Sequence, residues 1–378
     1  MPPWVSRADC RQRTMEDPYV SAASLLGLLD EIGFVEKLFW QLPPGFLLAG
    51  GPTKRALEAR FGYPGLHVPV DAERLAAAGA PVDYVTGKPV YVLGDFSDPS
   101  TIQKAKDVCA DRGVRVVDVM RDLYPAWCAG GGSRATGKPA RIGAIICPAR
   151  SGSTYLSNIL SSSGQLGNIR EHMRHHVAAL SRTGNIDLLD WLAGVSAKGQ
   201  KNGVFVTKIV HGFLAGATGT YSHDAWQNLL HSSKDWTLVS ITREDCVARA
   251  VSTYIAESAA RWHVHDAEAY ARLEAKANSL EYDFARLKDL YEMLKRQDDL
   301  ADRFLAERGG PDLSFTFEDI VSDGVGCATR ILQHLDLDTE AARNRMEGAS
   351  NLPRSSSTRK NEEFISKLRS DLGDRIDR

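Results

Sequence analysis

The sequence lacks the features that mark several large classes of protein. Its six cysteines are scattered without a Cys-x-x-Cys pair, which argues against a structural zinc site and against a disulfide framework. No segment approaches about 18 consecutive apolar residues and no cationic start leads into an apolar run, so we expect neither a transmembrane helix nor a signal peptide. The formal net charge of −2 provides no overall basic field for nucleic acid. These absences favour a reduced, cytoplasmic protein that binds neither membrane nor nucleic acid.

A glycine-rich stretch divides the chain of 378 residues. Residues 129–140 contain a run of glycines and a Lys-Pro pair near their end, a composition typical of a flexible linker. They separate residues 1–128 from residues 141–378, and a chain of this length is long enough for two domains. Hydrophobic residues make up 43% and charged residues 25% of the chain, the balance typical of a globular protein.

The N-terminal part contains a strand–helix–strand pattern. Residues 90–95 and 114–119 are short apolar runs that predict strands, and residues 99–112 between them have helical spacing of apolar positions. Such a unit implies that its two strands pair in parallel. A dinucleotide site would require Gly-x-Gly-x-x-Gly at the first turn, where Gly94 stands alone. We therefore predict a smaller, Rossmann-like α/β domain without a bound cofactor and assign it no role.

The C-terminal part alternates between apolar runs and amphipathic segments. This alternation predicts an α/β fold with a central parallel sheet. Its first apolar run is short and uninterrupted, as expected for a strand buried on both faces. We predict strands at 141–147, 203–210 and 236–242, and helices at 154–162, 245–260 and 267–298.

A loop suited to anions joins the first of these strands to its helix. Backbone N–H groups and the helix macrodipole favour negative charge at a helix N-terminus, and Gly152 lets the backbone approach a ligand closely. Ser153 and Thr154 add hydroxyl groups, and Arg150 adds a planar charged fork. Because Gly152 is followed by serine, the lysine of a nucleotide-triphosphatase loop is missing, which disfavours a P-loop kinase. The candidate anion-binding residues are Arg150, Ser151, Gly152, Ser153 and Thr154.

A second candidate anion site follows the strand at 236–242. Arg243 stands at the end of that strand and Ser252 about two turns into the next helix, so both side chains could converge on one phosphate. Thr242 and Asp245, three residues apart, fit a capping box at the start of this helix. A surface ion pair of Arg243 with a nearby acid is the alternative, and the presence of the first loop favours the anion site.

These motifs resemble those of sulfotransferases. Arg150-Ser-Gly-Ser-Thr after a strand resembles the phosphosulfate loop, most of all that of the bacterial trehalose 2-sulfotransferase family, over about residues 141–336. Arg243 and Ser252 have the spacing that sulfotransferases use for the 3′-phosphate of 3′-phosphoadenosine 5′-phosphosulfate (PAPS), and Trp262 matches a family tryptophan. The resemblance implies a P-loop-like three-layer sulfotransferase fold with a central parallel sheet, and PAPS as the donor.

The same resemblance implies the candidate catalytic residues. Glu171 matches the family glutamate that is proposed as the base for the acceptor hydroxyl, and Lys208 matches a family lysine able to reach the sulfuryl oxygens. Asn168 and Ile169 replace a glutamate and a proline of the family, which leaves trehalose itself unsupported as the acceptor. His172 is an alternative base, because imidazole titrates near neutral pH. The candidate catalytic residues are Glu171, Arg150, Lys208 and His172.

The end of the chain allows two interpretations. Residues 315–320 and 331–335 resemble the closing strand and helix of the family. The basic stretch that includes Arg359 and Lys360 loosely resembles the late loop with which sulfotransferases cover the donor's phosphates, so Arg359 is a further candidate donor contact. A flexible, solvated tail is the alternative.

Three histidines raise the question of a metal. His172, His175 and His176 could place two imidazoles on one helical face, but no His-Glu-x-x-His pattern or cysteine pair supports a metal site. We therefore expect sulfuryl transfer from PAPS to a carbohydrate or small-metabolite hydroxyl without a metal, and we leave a homodimer open. The alternatives are a non-catalytic, sulfotransferase-like binding module, which needs no base, and the P-loop kinase.

Overall fold

The chain forms two compact units by its internal contacts. The computed structural model describes residues 45–49, 67–71, 89–92, 99–124, 139–174, 188–214, 230–258, 278–350 and 359–373. The first unit comprises Met1–Pro139, His172–Gln200 and Gly219–Ala225, and the second comprises Ala140–Glu171, Lys201–Thr218 and Trp226–Arg378. Most of the linker expected at 129–140 lies outside the described residues, so the domain boundaries inferred from the sequence stay a prediction.

Strands and helices alternate along most of the described chain. The strands are β1 (Gly45–Ala49), β2 (His67–Asp71), β3 (Val90–Val92), β4 (Val116–Asp118), β5 (Arg141–Cys147), β6 (Val204–Val210), β7 (Thr237–Thr242) and β8 (Leu313–Thr316). The helices are α1 (Pro99–Asp111), α2 (Ser153–Ser162), α3 (Leu188–Gly199), α4 (Cys246–Ser258), α5 (Phe284–Arg308), α6 (Phe317–His334), α7 (Glu340–Ser350) and α8 (Arg359–Leu372).

The first unit contains a parallel sheet with the strand order β2-β1-β3-β4. Helix α1 connects β3 to β4 and buries Ala105 and Cys109, the apolar positions that have helical spacing in the sequence. Val90 of β3 lies opposite Val116 of β4 in a parallel pair. The parallel pairing predicted from the strand–helix–strand pattern is therefore confirmed.

The second unit contains a parallel sheet with the order β6-β5-β7-β8. β5 lies inside this sheet, and its residues from Gly143 to Cys147 are all buried, as expected for a strand covered on both faces. Cys147 lies opposite Val210 of β6, and Ile146 lies opposite Ser240 of β7. Because the strands are parallel, their carboxyl ends share one edge of the sheet, and the predicted residues Arg150 and Arg243 follow two of these ends.

The helices of the second unit build two apolar clusters, and the first of these includes strands of the sheet. Ile145 and Cys147 of β5 pack with residues of α2, α6 and α7, whereas α4, α5 and α8 build a second cluster around Val251, Leu290 and Phe364. Ala144 and Ile146, which alternate with the first two residues along β5, are equally buried. Both faces of β5 are thus removed from solvent, which confirms an α/β fold with parallel sheets.

Two helix starts differ from their sequence predictions. The predicted capping box of Thr242 and Asp245 is wrong, because Asp245 itself caps α4 by accepting a hydrogen bond from the Ala248 amide at 2.9 Å. The single helix predicted at 267–298 is not continuous, and its predicted end is wrong because α5 runs to Arg308; residues 267–277 lie outside the described residues. Residues 280–283 are not helical, and the Asp283 side chain starts α5 by accepting from the Arg286 amide. A local side-chain hydrogen bond sets each start, and apolar spacing does not reveal it.

Helix α8 was not expected from the sequence. Its buried residues Phe364, Leu368 and Leu372 recur every four positions and pack in the cluster formed with α4 and α5. A flexible tail is therefore wrong for residues 359–372, because burial of this apolar stripe orders them. Among the helices of the described residues, none combines the length and the hydropathy needed to cross a membrane.

Candidate active site

The loop between β5 and α2 has an unusual backbone. Arg150 and Gly152 both adopt the left-handed region, with φ of 62° and 77°. Glycine adopts this conformation freely, whereas a side chain such as that of Arg150 is strained there. The Ser151 hydroxyl is fully buried and donates to the Pro148 carbonyl at 2.8 Å, which holds the loop closed on itself. Of the predicted anion-binding residues, Ser151 therefore uses its hydroxyl inside the loop.

Gly152 is required by its surroundings as well as by its φ angle. A Cβ atom at this position would lie 3.2 Å from the Phe317 ring. The Gly152 carbonyl accepts from the Leu156 amide at 3.1 Å, so α2 begins immediately after the loop. The first amides and the positive end of the helix dipole therefore adjoin the loop, as the sequence predicts.

The two predicted anion sites meet at Arg150. Its Nε donates to the Ser252 hydroxyl on α4 at 2.9 Å. Arg243, which follows β7, donates through a terminal nitrogen to the Arg150 backbone carbonyl at 2.6 Å. Residues about 100 positions apart in sequence thus form one contiguous cationic site.

Burial and the charge of a neighbouring arginine lower the pKa of both guanidinium groups. Burial, together with the nearby Arg243, lowers the pKa of the Arg150 guanidinium to about 10. Burial also lowers the pKa of Arg243, with a further contribution from Arg249, while Asp245 and Glu318 oppose the shift. Two partly buried arginines side by side favour the binding of an anion.

The Phe317 ring supports this pair. The Arg243 guanidinium carbon lies 4.1 Å from its centroid, a cation–π contact. The same ring packs against Gly152. Helix α6 begins with a capping box of Thr316 and Asp319, and no local sequence signal identifies Phe317 as a site residue.

Lys208 and Glu171 form an ion pair beside α2. Lys208 Nζ lies 2.9 Å from Glu171 Oε1 and donates to the Thr154 hydroxyl at 3.1 Å. A backbone hydrogen bond holds the two segments together, because the Lys208 amide donates to the carbonyl of Arg170, the residue before Glu171, at 2.9 Å. The side chains of both Lys208 and Glu171 are largely buried. Glu171 is therefore tied, through Lys208, to the first turn of the helix that follows the anion loop.

The remaining predicted residues are His172, Arg359 and three positions outside the described residues. His172 is buried and belongs to the first unit, where its carbonyl accepts from the Trp191 indole nitrogen at 3.2 Å. Arg359 is the first residue of α8. Three further residues singled out in the sequence, Trp262, His175 and His176, lie outside the described residues. Within the described ranges, no three His, Cys, Asp or Glu side chains are grouped to hold a metal ion.

A buried charge network near Arg243 was not foreseen. Arg249 forms a two-point ion pair with Asp298 on α5, and His211 Nδ1 lies 2.8 Å from the same carboxylate. Arg249 also donates to the Arg243 carbonyl at 3.4 Å. The position of Arg249 in the sequence indicates a buried ion pair, because this charged residue stands among the buried positions of α4.

Comparisons with known proteins point to sulfotransferases. Residues 227–371 match the family model described as Stf0 sulphotransferase, which confirms the resemblance recognised in the sequence over these residues. Arg243 and Ser252 lie within this match, whereas Arg150, Glu171 and Lys208 precede it. The chain is also similar to a solved sulfotransferase from Alicyclobacillus acidocaldarius, at 17% identity and a TM-score of 0.37, over 62% of this chain and 93% of that chain. No curated protein matches the chain.

Proposed function

We propose that this chain, whose residues 227–371 match the Stf0 sulphotransferase model, transfers a sulfuryl group from PAPS to a hydroxyl of a carbohydrate or small metabolite. The contact between Arg150 and Arg243 carries this proposal: both arginines are partly buried, and the Arg243 guanidinium donates a hydrogen bond to the Arg150 carbonyl. Such a site suits a ligand that carries two anionic groups. A parallel sheet buried on both faces is compatible with the P-loop-like three-layer fold that the resemblance implies.

The residues present fit the two anionic ends of PAPS. The loop at Arg150 and the N-terminus of α2 would hold the phosphosulfate through backbone amides and the guanidinium. Arg243 and Ser252 would hold the 3′-phosphate. Arg243 Nε is buried and has no hydrogen-bond partner among the described residues, so it retains a donor for a ligand oxygen.

Glu171 and Lys208 supply the groups that sulfuryl transfer needs. Glu171 would take the proton from the acceptor hydroxyl as general base. Lys208, between Glu171 and Thr154, would place positive charge beside the transferred group. The serine after Gly152 supports this assignment over a kinase, because the loop has no lysine for the terminal phosphates of ATP.

Binding of the product adenosine 3′,5′-bisphosphate (PAP) tests the donor assignment. We expect PAP to raise the melting temperature, because a ligand at about 100 times its Kd stabilises the folded state by about 2.7 kcal/mol. ATP with Mg²⁺ should give a much smaller shift. A sulfated product, detected by mass spectrometry in a metabolite extract supplied with PAPS, would identify the acceptor. Equal shifts with ATP and PAP would contradict the proposal.

Arg243→Ala tests the 3′-phosphate contact. A charge-assisted hydrogen bond contributes about 1.5–3 kcal/mol, so this variant should lose roughly ten- to a hundredfold in affinity for PAP. Affinity for 5′-AMP, which has no 3′-phosphate, should change little. Arg296→Ala, at an exposed site on α5, is the matched control and should retain the preference for PAP. Equal losses for PAP and AMP would remove Arg243 from this role.

A further inference from the structure

Asp298 binds two side chains that belong to different elements. Arg249 on α4 donates two hydrogen bonds to its carboxylate, one of them at 3.0 Å. His211 Nδ1 lies 2.8 Å from Oδ1. An ionised carboxylate can accept but cannot donate, so this histidine nitrogen carries the hydrogen and donates it. Asp298 therefore joins α5 to α4 and to the segment after β6.

This network lies at the carboxyl edge of the second sheet. His211 directly follows Val210, which pairs with Cys147, the residue before the anion loop. Neighbouring strands lie about 4.8 Å apart, so the backbone at His211 runs beside the start of that loop. Arg249 donates to the Arg243 carbonyl at 3.4 Å. The network thus holds the chain just after β6 and just after β7, on both sides of the loop that follows β5.

The charges of the network explain its arrangement. Arg249 is 1% exposed and lies close enough to Arg243 to lower its pKa. Burial raises the pKa of Asp298, but the hydrogen bonds from His211 and Arg249 outweigh it and leave that pKa below its usual value. The ionised carboxylate neutralises Arg249, and Arg243 keeps its charge for a ligand.

We propose that Asp298 is a positioning residue: by binding Arg249 and His211 together, it fixes the backbone that presents Arg243 to the 3′-phosphate of the donor. This inference rests on the proposed function, because it takes that phosphate as the ligand of Arg243. Asp298 itself touches no reacting atom in this role. Its loss should weaken recognition of the 3′-phosphate more than recognition of the rest of the nucleotide.

The preference for PAP over AMP measures this role. Calorimetric titration of the full chain gives the ratio of the two dissociation constants, and we expect Asp298→Asn to reduce that ratio by about tenfold. Asp289→Asn, an exposed acid on the same helix, is the matched control and should keep the wild-type ratio. His211→Asn, which keeps an N–H donor, should lose less of the ratio than His211→Ala.

A second variant keeps the proposal testable if Asp298→Asn fails to fold. Asp298→Asn leaves Arg249 buried with a weaker partner, whereas Arg249→Met combined with Asp298→Leu removes both charges and preserves volume, an exchange that proteins often tolerate. This double variant should also lose the preference for PAP. A folded variant of either kind with the wild-type ratio would overturn the positioning role alone. A wild-type chain that binds PAP no better than AMP would overturn the proposed function and this inference together.

Discussion

Arg150 bears two costs at a single residue. Its left-handed backbone costs about 1–3 kcal/mol for a residue with a side chain, and its guanidinium is partly buried beside a second arginine. Residues that carry such costs concentrate at functional sites. In this backbone conformation the Arg150 carbonyl accepts a hydrogen bond from Arg243, and the Arg150 side chain donates one to Ser252. The two anion-binding segments are joined through this one residue.

Glu171 is the residue whose role is most sharply testable. A general base contributes about 10²–10⁴-fold to a rate. A carboxylate is not needed to bind the anionic oxygens of PAPS, so its loss should leave binding of the nucleotide intact. We expect Glu171→Gln to lower turnover with PAPS by at least about 100-fold while PAP affinity stays within a few-fold. Single-turnover rates and PAP titrations measure the two quantities. Glu362→Gln, at an exposed site on α8, should leave both unchanged.

The alternative base provides the contrary outcome for this prediction. His172 is buried in the first unit, so His172→Ala should lower the melting temperature and cost less turnover than Glu171→Gln. Normal turnover in Glu171→Gln together with loss of turnover in His172→Ala would transfer the role to His172. It would also weaken the family assignment at this position.

Residues of local motifs could be predicted, and residues of long-range contacts could not. Arg150 and Gly152 belong to a strand–loop–helix pattern that a few consecutive residues specify. His211 and Asp298 lie 87 positions apart, and neither stands in a motif. Their pairing depends on how β6 and α5 pack, which the sequence of either element does not encode alone. The same limit applies to Phe317, whose contacts come from two other segments.

At the scale of elements, buried strands were the most predictable features. β5 is observed over the predicted range, and β6 and β7 each begin one residue later than predicted. A buried parallel strand is a continuous apolar run, so both of its ends are visible in sequence. The start of helix α5 differs from its prediction because a single hydrogen bond, accepted by the Asp283 side chain, sets it. Helix α8 is not predicted because the basic residues at its start favour a loop or a flexible tail, although an apolar stripe follows them.

Phe364 tests the contribution of α8. It is fully buried and contacts the Tyr282 ring edge-on at a centroid distance of 5.5 Å. Truncation of a buried phenylalanine costs about 3–5 kcal/mol, so Phe364→Ala should lower the urea midpoint of unfolding substantially. Phe284→Ala, at a half-exposed position on α5, should change stability much less. Equal midpoints for Phe364→Ala and the wild type would show that α8 contributes little to the fold.

At the scale of the whole molecule, the positive charge of the site is local. The chain has a formal net charge of −2, and the cationic residues of the site lie together in the second unit. The loop, Ser252, Lys208 and Glu171 also belong to that unit. Residues 172–200, although they lie within the C-terminal part of the sequence, belong by their contacts to the first unit, where Tyr124 donates to the Trp191 carbonyl at 3.2 Å.

This division predicts how residues 141–378 behave when expressed alone. The fragment keeps each of the described side chains that we assign to donor binding, and distant sites contribute nearly independently, so its PAP affinity should lie within about threefold of that of the full chain. It loses Tyr124 and the rest of residues 1–140 that accompany 172–200, so we expect a lower melting temperature. Calorimetric titration and a thermal melt of both proteins measure these two effects. A fragment that melts cooperatively yet fails to bind PAP would show that residues 1–140 complete the donor site.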